Sequence, residues 1–109
     1  MTKTTITPRY TKTTFGVSGQ VPNAVVTHKR ANHNSFEMTM RIWQFSVLVS
    51  AEGVVTGVLE GYNVPKDTEL VSRTIFKVNY AETATADAEP FSTLPEWAQE
   101  MVASVRADA

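Results

Sequence analysis

The sequence predicts an α+β fold: an N-terminal β-hairpin, an antiparallel sheet of about five to six strands, and a C-terminal α-helix that packs across a dimer. Three observations carry this. Alternation with a period of two runs from Tyr10 to Tyr80, helical spacing is confined to the last part of the chain, and Gly, Asn and Pro punctuate the alternating stretch where tight turns would fall. Strands first and helix last is the α+β order. At 109 residues the chain is long enough for one domain with a modest core, divided into hairpin and sheet over 1–80, a loop over 81–92 and a helix over 93–107.

The β-branched run Thr11 to Val17 reads as the first strand, closed by a turn at Gly16, Ser18 and Gly19. Ala24 to Arg30 reads as the returning strand of that hairpin, and Ala31-Asn32-His33-Asn34 as the next turn. Ser35 to Ser50 is the strongest strand signal. In it Phe36, Met38, Met40 and Ile42 share one parity, but Phe45, Val47 and Val49 share the other. A single regular ladder would send these two sets to opposite faces, so an irregularity is predicted at Ile42 to Gln44. Glu52-Gly53 reads as a tight turn into Val54 to Glu60, and Pro65 to Thr68 as the turn into a last strand, Leu70 to Tyr80.

Ala81 to Glu89 has no apolar period and reads as a loop. Thr93-Leu94-Pro95-Glu96 fits a capping box with proline in the first turn. Leu94, Trp97, Met101, Val102 and Val105 then form one apolar stripe. Strands lie about 4.8 Å apart, so a sheet of this size is wider than one helix of about 10 Å can cover. The expectation is a homodimer in which each helix lies over a shared sheet.

Composition narrows the class. With 42% hydrophobic and 19% charged residues the chain is globular rather than disordered. The absence of cysteine removes disulfides and thiolate metal sites, and fits a reducing cytoplasm or a particle assembled there. No apolar run approaches the roughly twenty residues of a membrane span, and the Thr-rich start lacks the apolar core of a signal peptide. The expectation is a soluble intracellular protein with no membrane partner. Charge is polarised: Met1 to Arg41 holds six bases (Lys3, Arg9, Lys12, Lys29, Arg30, Arg41) and one acid, a net of +5, and the remainder holds four bases and ten acids, a net of −6. That asymmetry predicts a folded body with one basic surface.

No nucleophile elbow or glycine-rich phosphate loop occurs, so the chain is not expected to be an enzyme and implies no cofactor or small-molecule substrate. His28, His33 and Glu37 match no metal-ligand spacing and read as surface residues. Gly53, Gly57 and Gly61 recur every four residues in a strand context, which assigns them turn and bulge roles rather than helix packing. The polar strand face is more informative. Thr27, Lys29, Thr39 and Arg41, joined by Arg73 and Lys77, would set hydroxyls and cations side by side on adjacent strands, as phosphate and base-edge contacts require; an ordinary solvated face carries the same residue types. Trp43, Tyr62 and Tyr80 read either as stacking platforms for bases or, more commonly, as core.

The segment from Val25 to Ile42, a strand, a polar turn and an alternating strand, resembles the central basic hairpin of the coat proteins of single-stranded RNA bacteriophages. Thr74 to Tyr80, with the loop and helix that follow, resembles their last strand and C-terminal arm. The resemblance implies a capsid subunit that dimerises, self-assembles into an icosahedral shell in the bacterial cytoplasm, and binds viral RNA, in the family a hairpin, on the inner sheet face. It assigns RNA contact to Thr27, Lys29, Thr39 and Arg41 first, then Arg73 and Lys77. This chain departs from the pattern in having one helix rather than two, and in placing Glu37 among residues expected to face phosphate. Two other readings stand beside it: a small intracellular nucleic-acid-binding β-barrel, and a phage-encoded inhibitor that docks a host protein through a sheet edge.

Overall fold

The computed structural model describes residues 10–28, 35–64 and 74–108. Its spine is β3 (Phe36–Ser50), fifteen residues and about 50 Å of continuous strand. Around it lie β1 (Tyr10–Gly16), β2 (Ala24–His28), β4 (Val55–Asn63), β5 (Ile75–Ala81) and β6 (Glu89–Pro90), with one helix, α1 (Glu96–Asp108). The result is a six-stranded sheet in the order β1-β3-β4-β5-β6, with β2 also on β3. The α+β class and the strand number agree with the expectation. The order is an open path, which is not the closed sheet that a β-barrel requires.

The N-terminal hairpin is corrected. β1 pairs with Gln44–Ser50 and β2 with Phe36–Met40, both antiparallel to β3, so the two strands lie end to end along one side of the spine rather than beside each other. The backbone N–H of Val17 still donates to the carbonyl of Trp43, carrying the ladder one step past β1. Gln20 N–H then closes on the Val17 carbonyl, with Gly19 at φ 73°. This small loop leaves the edge and rejoins it, so the chain never reverses. The hairpin of the structure is β2–β3; its turn at Ala31–Asn34 lies outside the described residues, as does the turn at Pro65–Thr68.

The irregularity at Ile42 to Gln44 is present. On β4, Ile42 sits opposite Gly61 and Gln44 opposite Glu60, so Trp43 is the extra residue of a β-bulge. The bulge resets parity and puts Met38, Met40, Ile42, Phe45 and Val47 on one face, where all are buried. Gly61 is what makes room for it. A Cβ there would stand 2.2 Å from the Arg41 carbonyl oxygen, closer than atoms can pack. Gly57 has a related task, because its Cβ would meet Phe45 at 3.0 Å and Phe91 at 3.4 Å. Gly53, at φ 85°, turns β3 into β4.

The end of the chain differs from expectation in two details. Within the 81–92 loop, β5 runs on through Ala81, and Glu89–Pro90 forms a two-residue parallel strand against Tyr80 and Ala81. The helix begins at Glu96 rather than at 93, because the Thr93 hydroxyl donates to the Pro90 carbonyl (2.7 Å) and completes a 3₁₀ turn over Phe91–Thr93 instead of capping α1. Leu94 is extended, and the Pro95 carbonyl receives the first helical N–H groups from Ala98 and Gln99.

The helix docks on the sheet of its own chain. Leu94, Ala98 and Val102 are buried, and Trp97 meets the edge of Phe45 at 6.2 Å, with Met101 and Val105 packed alongside. Helix α1 is too narrow for the whole sheet, but Phe91 of the 3₁₀ turn and Val17 and Val21 of the edge loop join the same cluster. Met40, Phe45, Val47 and Leu59 are therefore fully enclosed within one chain. Among the described residues, the apolar area under α1 is covered from within the chain.

Tyr80 is buried in this core opposite Glu89, the commoner of the two readings for it, and offers no stacking platform. Burial, and secondarily the charge of Glu89, hold its phenol above its ordinary pKa of 10.0. A pKa raised by folding contributes stability that is complete below the unfolded value and lost as pH climbs through the folded one. Denaturant titrations should therefore show stability falling above about pH 10, with a shallower fall in Tyr80→Phe. Gly61→Ala should destabilise the fold by about 1–3 kcal/mol, the cost of overpacking. Trp97→Ala should cost about 3 kcal/mol in the same titrations without changing the oligomeric state, since its contacts are within the chain.

Candidate nucleic-acid interface

Because side chains alternate, the face opposite α1 is fixed by the same registers. It carries Val25 and Thr27 of β2, Glu37, Thr39, Arg41 and Gln44 of β3, Glu60 and Tyr62 of β4, and Ile75 and Lys77 of β5. Thr27, Thr39, Arg41 and Lys77 are thus on one surface, as the sequence reading required. Lys29 and Arg73 lie outside the described residues. Arg41 and Lys77 are exposed, Thr27 and Thr39 half-buried. Thr39 and Arg41 are near neighbours on β3, with Thr27 one strand to one side, level with Glu37, and Lys77 two strands to the other, level with Gln44, so the four are spread about 14 Å across the strands and about 20 Å along them.

At the centre of this face is a connected group that the sequence reading did not assemble. Arg41 Nη1 donates to the Tyr62 hydroxyl at 3.3 Å, and its guanidinium carbon lies 5.8 Å from the Tyr62 ring centroid. The Tyr62 and Trp43 rings are 5.5 Å apart and inclined at 42°. Trp43 Nε1 donates to Glu60 Oε2 at 2.8 Å, and Glu60 Oε1 lies 3.5 Å from Lys77 Nζ. A chain of contacts from Arg41 to Lys77 therefore crosses three strands. Alternation with Thr39 and Arg41 turns Trp43 to this side, and the bulge then resets the strand so that Phe45 and Val47 return to the core face. The one signal for this group was the parity break at Trp43, together with polar residues alternating with Gly57 and Gly61 along β4.

The electrostatics are milder than the +5 of the N-terminal part suggested. On the described open face Lys12, Arg41 and Lys77 are set against Glu37 and Glu60, an excess of one positive charge. Lys77 is largely solvated, with 68% of its side chain exposed, so its ion pair contributes less than about 1 kcal/mol. Lys3, Arg9, Lys29 and Arg30 lie outside the described residues. The arrangement suits contacts between flat π-systems more than the gathering of phosphates.

Of the three residues read as surface, Glu37 is exposed on the open face, His28 is half-buried on the opposite face, which corrects its reading, and His33 lies outside the described residues. The His28 ring sits among Phe36 and Phe76, at 5.4 and 5.6 Å, on the core side. No group of three or more His, Cys, Asp or Glu side chains could hold a metal among the described residues, and none of their helices is long and apolar enough to cross a membrane.

No family model matches this chain, and no curated protein or solved structure matches it.

Because it touches the Tyr62 ring and stands exposed on this face, Arg41 should matter more than Lys77, which shares its charge with Glu60. In equilibrium titrations with single-stranded RNA, Arg41→Ala should weaken binding about tenfold and Lys77→Ala about threefold, from the loss of roughly 1.4 and 0.7 kcal/mol of cation–π and phosphate contact.

Proposed function

We propose that this protein binds RNA on the uncovered face of its sheet. The observation that carries the reading is the aromatic and cationic group Arg41–Tyr62–Trp43, held in place on a face that α1 does not touch. Proteins grip unpaired nucleotides by combining such aromatic platforms with nearby cations. Thr27 and Thr39 add hydroxyls at the margin, in reach of a sugar or a phosphate.

In its fuller form the reading is that of a coat subunit which dimerises, encloses RNA and assembles into a shell in a bacterial cytoplasm. What supports assembly is the sheet's edges. Beyond β5, β6 pairs only with Tyr80 and Ala81, so among the described residues the stretch Ile75–Asn79 has no outer neighbour. Ile75 is 61% exposed at that edge. Open edges of this kind pair with a second strand, and a symmetric second copy is the simplest source. Such a dimer joins by edges and leaves each helix, with Leu94, Trp97, Met101, Val102 and Val105, on its own subunit.

Analytical sedimentation of the purified protein with absorbance at 260 and 280 nm tests both levels. RNA should co-purify and be released as salt rises, because each phosphate contact displaces counterions. Particles of megadalton size support the shell. A nucleic-acid-free monomer over a wide concentration range, or a stoichiometric complex with a host protein alone, contradicts the reading.

A further inference from the structure

We propose that the ligand of this face is an unpaired strand recognised by base stacking with little regard to sequence, rather than a duplex or one specific hairpin. This deepens the RNA-binding reading and rests on it. Trp43 Nε1, the one donor of the indole, is committed to Glu60, and the Tyr62 hydroxyl accepts from Arg41 while keeping its own O–H. Beyond that one hydroxyl, what these two side chains offer is ring surface. Ring surface accepts any base, because every base has a π-face, and it reads no donor or acceptor pattern.

The spacing adds a limit. A base sandwiched between two rings needs two stacking gaps of about 3.4 Å each, near 6.8 Å in all. The Trp43 and Tyr62 centroids are 5.5 Å apart, so a base stacks on the outside of the pair and not between its members. Acidic groups supply the discrimination. Glu60 lies against Trp43 in the middle of the face and Glu37 lies beside Thr27, where a duplex docked on the flat sheet would bring phosphates against both. A single strand can turn its bases inward over Trp43 and Tyr62 and leave its phosphates at the Arg41 and Lys77 margins. Thus Glu60 both fixes the indole and repels the wrong ligand.

The test uses the full chain, oligo(A), oligo(U) and a mixed-sequence 12-nucleotide RNA, and the mixed strand annealed to its complement, at one fixed salt concentration. Affinity and tryptophan fluorescence are measured together. The three single strands should bind within about tenfold of one another and at least tenfold more tightly than the duplex. Quenching should be lost in Trp43→Phe, which retains Trp97 as the internal reference, and affinity should fall about tenfold in Tyr62→Ala. Glu60→Gln, which keeps an acceptor for the indole and removes the charge, should narrow the preference over duplex at least threefold. Duplex binding as tight as single-strand binding, or one sequence favoured more than a hundredfold, overturns the inference while leaving the RNA-binding reading intact. Failure of every nucleic acid to bind overturns both.

Discussion

One extra residue in a long strand organises this molecule. Trp43 is accommodated only because Gly61, across the ladder, has no side chain to collide with the Arg41 carbonyl. Without that bulge the apolar residues on either side of it would fall on opposite faces, and β3 could not serve a single core. With it, Met38 through Val47 line one dry surface. Trp43 itself, in alternation with Thr39 and Arg41, faces the other surface, beside Glu60 and Tyr62. The core and the candidate binding site therefore meet at one backbone position.

The two faces are finished differently. On the core side, α1, Phe91 and the loop residues Val17 and Val21 enclose the apolar set within a single chain. On the other side no helix of the described residues lies, and the half-buried Trp43 and Tyr62 are satisfied by a polar chain that runs to Arg41 and Lys77. The polar atom of this half-buried tryptophan is tied down by Glu60 while its ring packs on Tyr62. A sheet left open in this way, edged by strands with unpaired backbone groups, favours association with something flat and with something extended.

Much of this was legible in the amino-acid order. The parity change between Ile42 and Phe45 located the bulge, and alternation along Phe36 to Ile42 placed Thr39 and Arg41 on the face away from the core. Other features leave no comparable trace. Alternation shows which way a side chain points but not which edge a strand joins, so β1 and β2 looked like a hairpin when both follow β3. A two-residue strand such as Glu89–Pro90 has no period to detect. The Thr93 hydroxyl fits a capping box by spacing, yet a nearer carbonyl, that of Pro90, claims it. Estimating coverage from helix width alone omitted Phe91, Val17 and Val21, and so implied bare apolar area that the chain itself fills. Trp43 shares its parity with Arg41 on the open face and with Phe45 in the core, which is why alternation alone could not assign it to either.

The central claim is that the open face, and not the helix side, meets nucleic acid. Backbone amide NMR during titration with a short single-stranded RNA tests it most directly. The account predicts shifts concentrated at Thr39, Arg41, Trp43, Glu60, Tyr62 and Lys77, with α1 unaffected. Shifts centred on α1, or spread evenly over both faces, would contradict it.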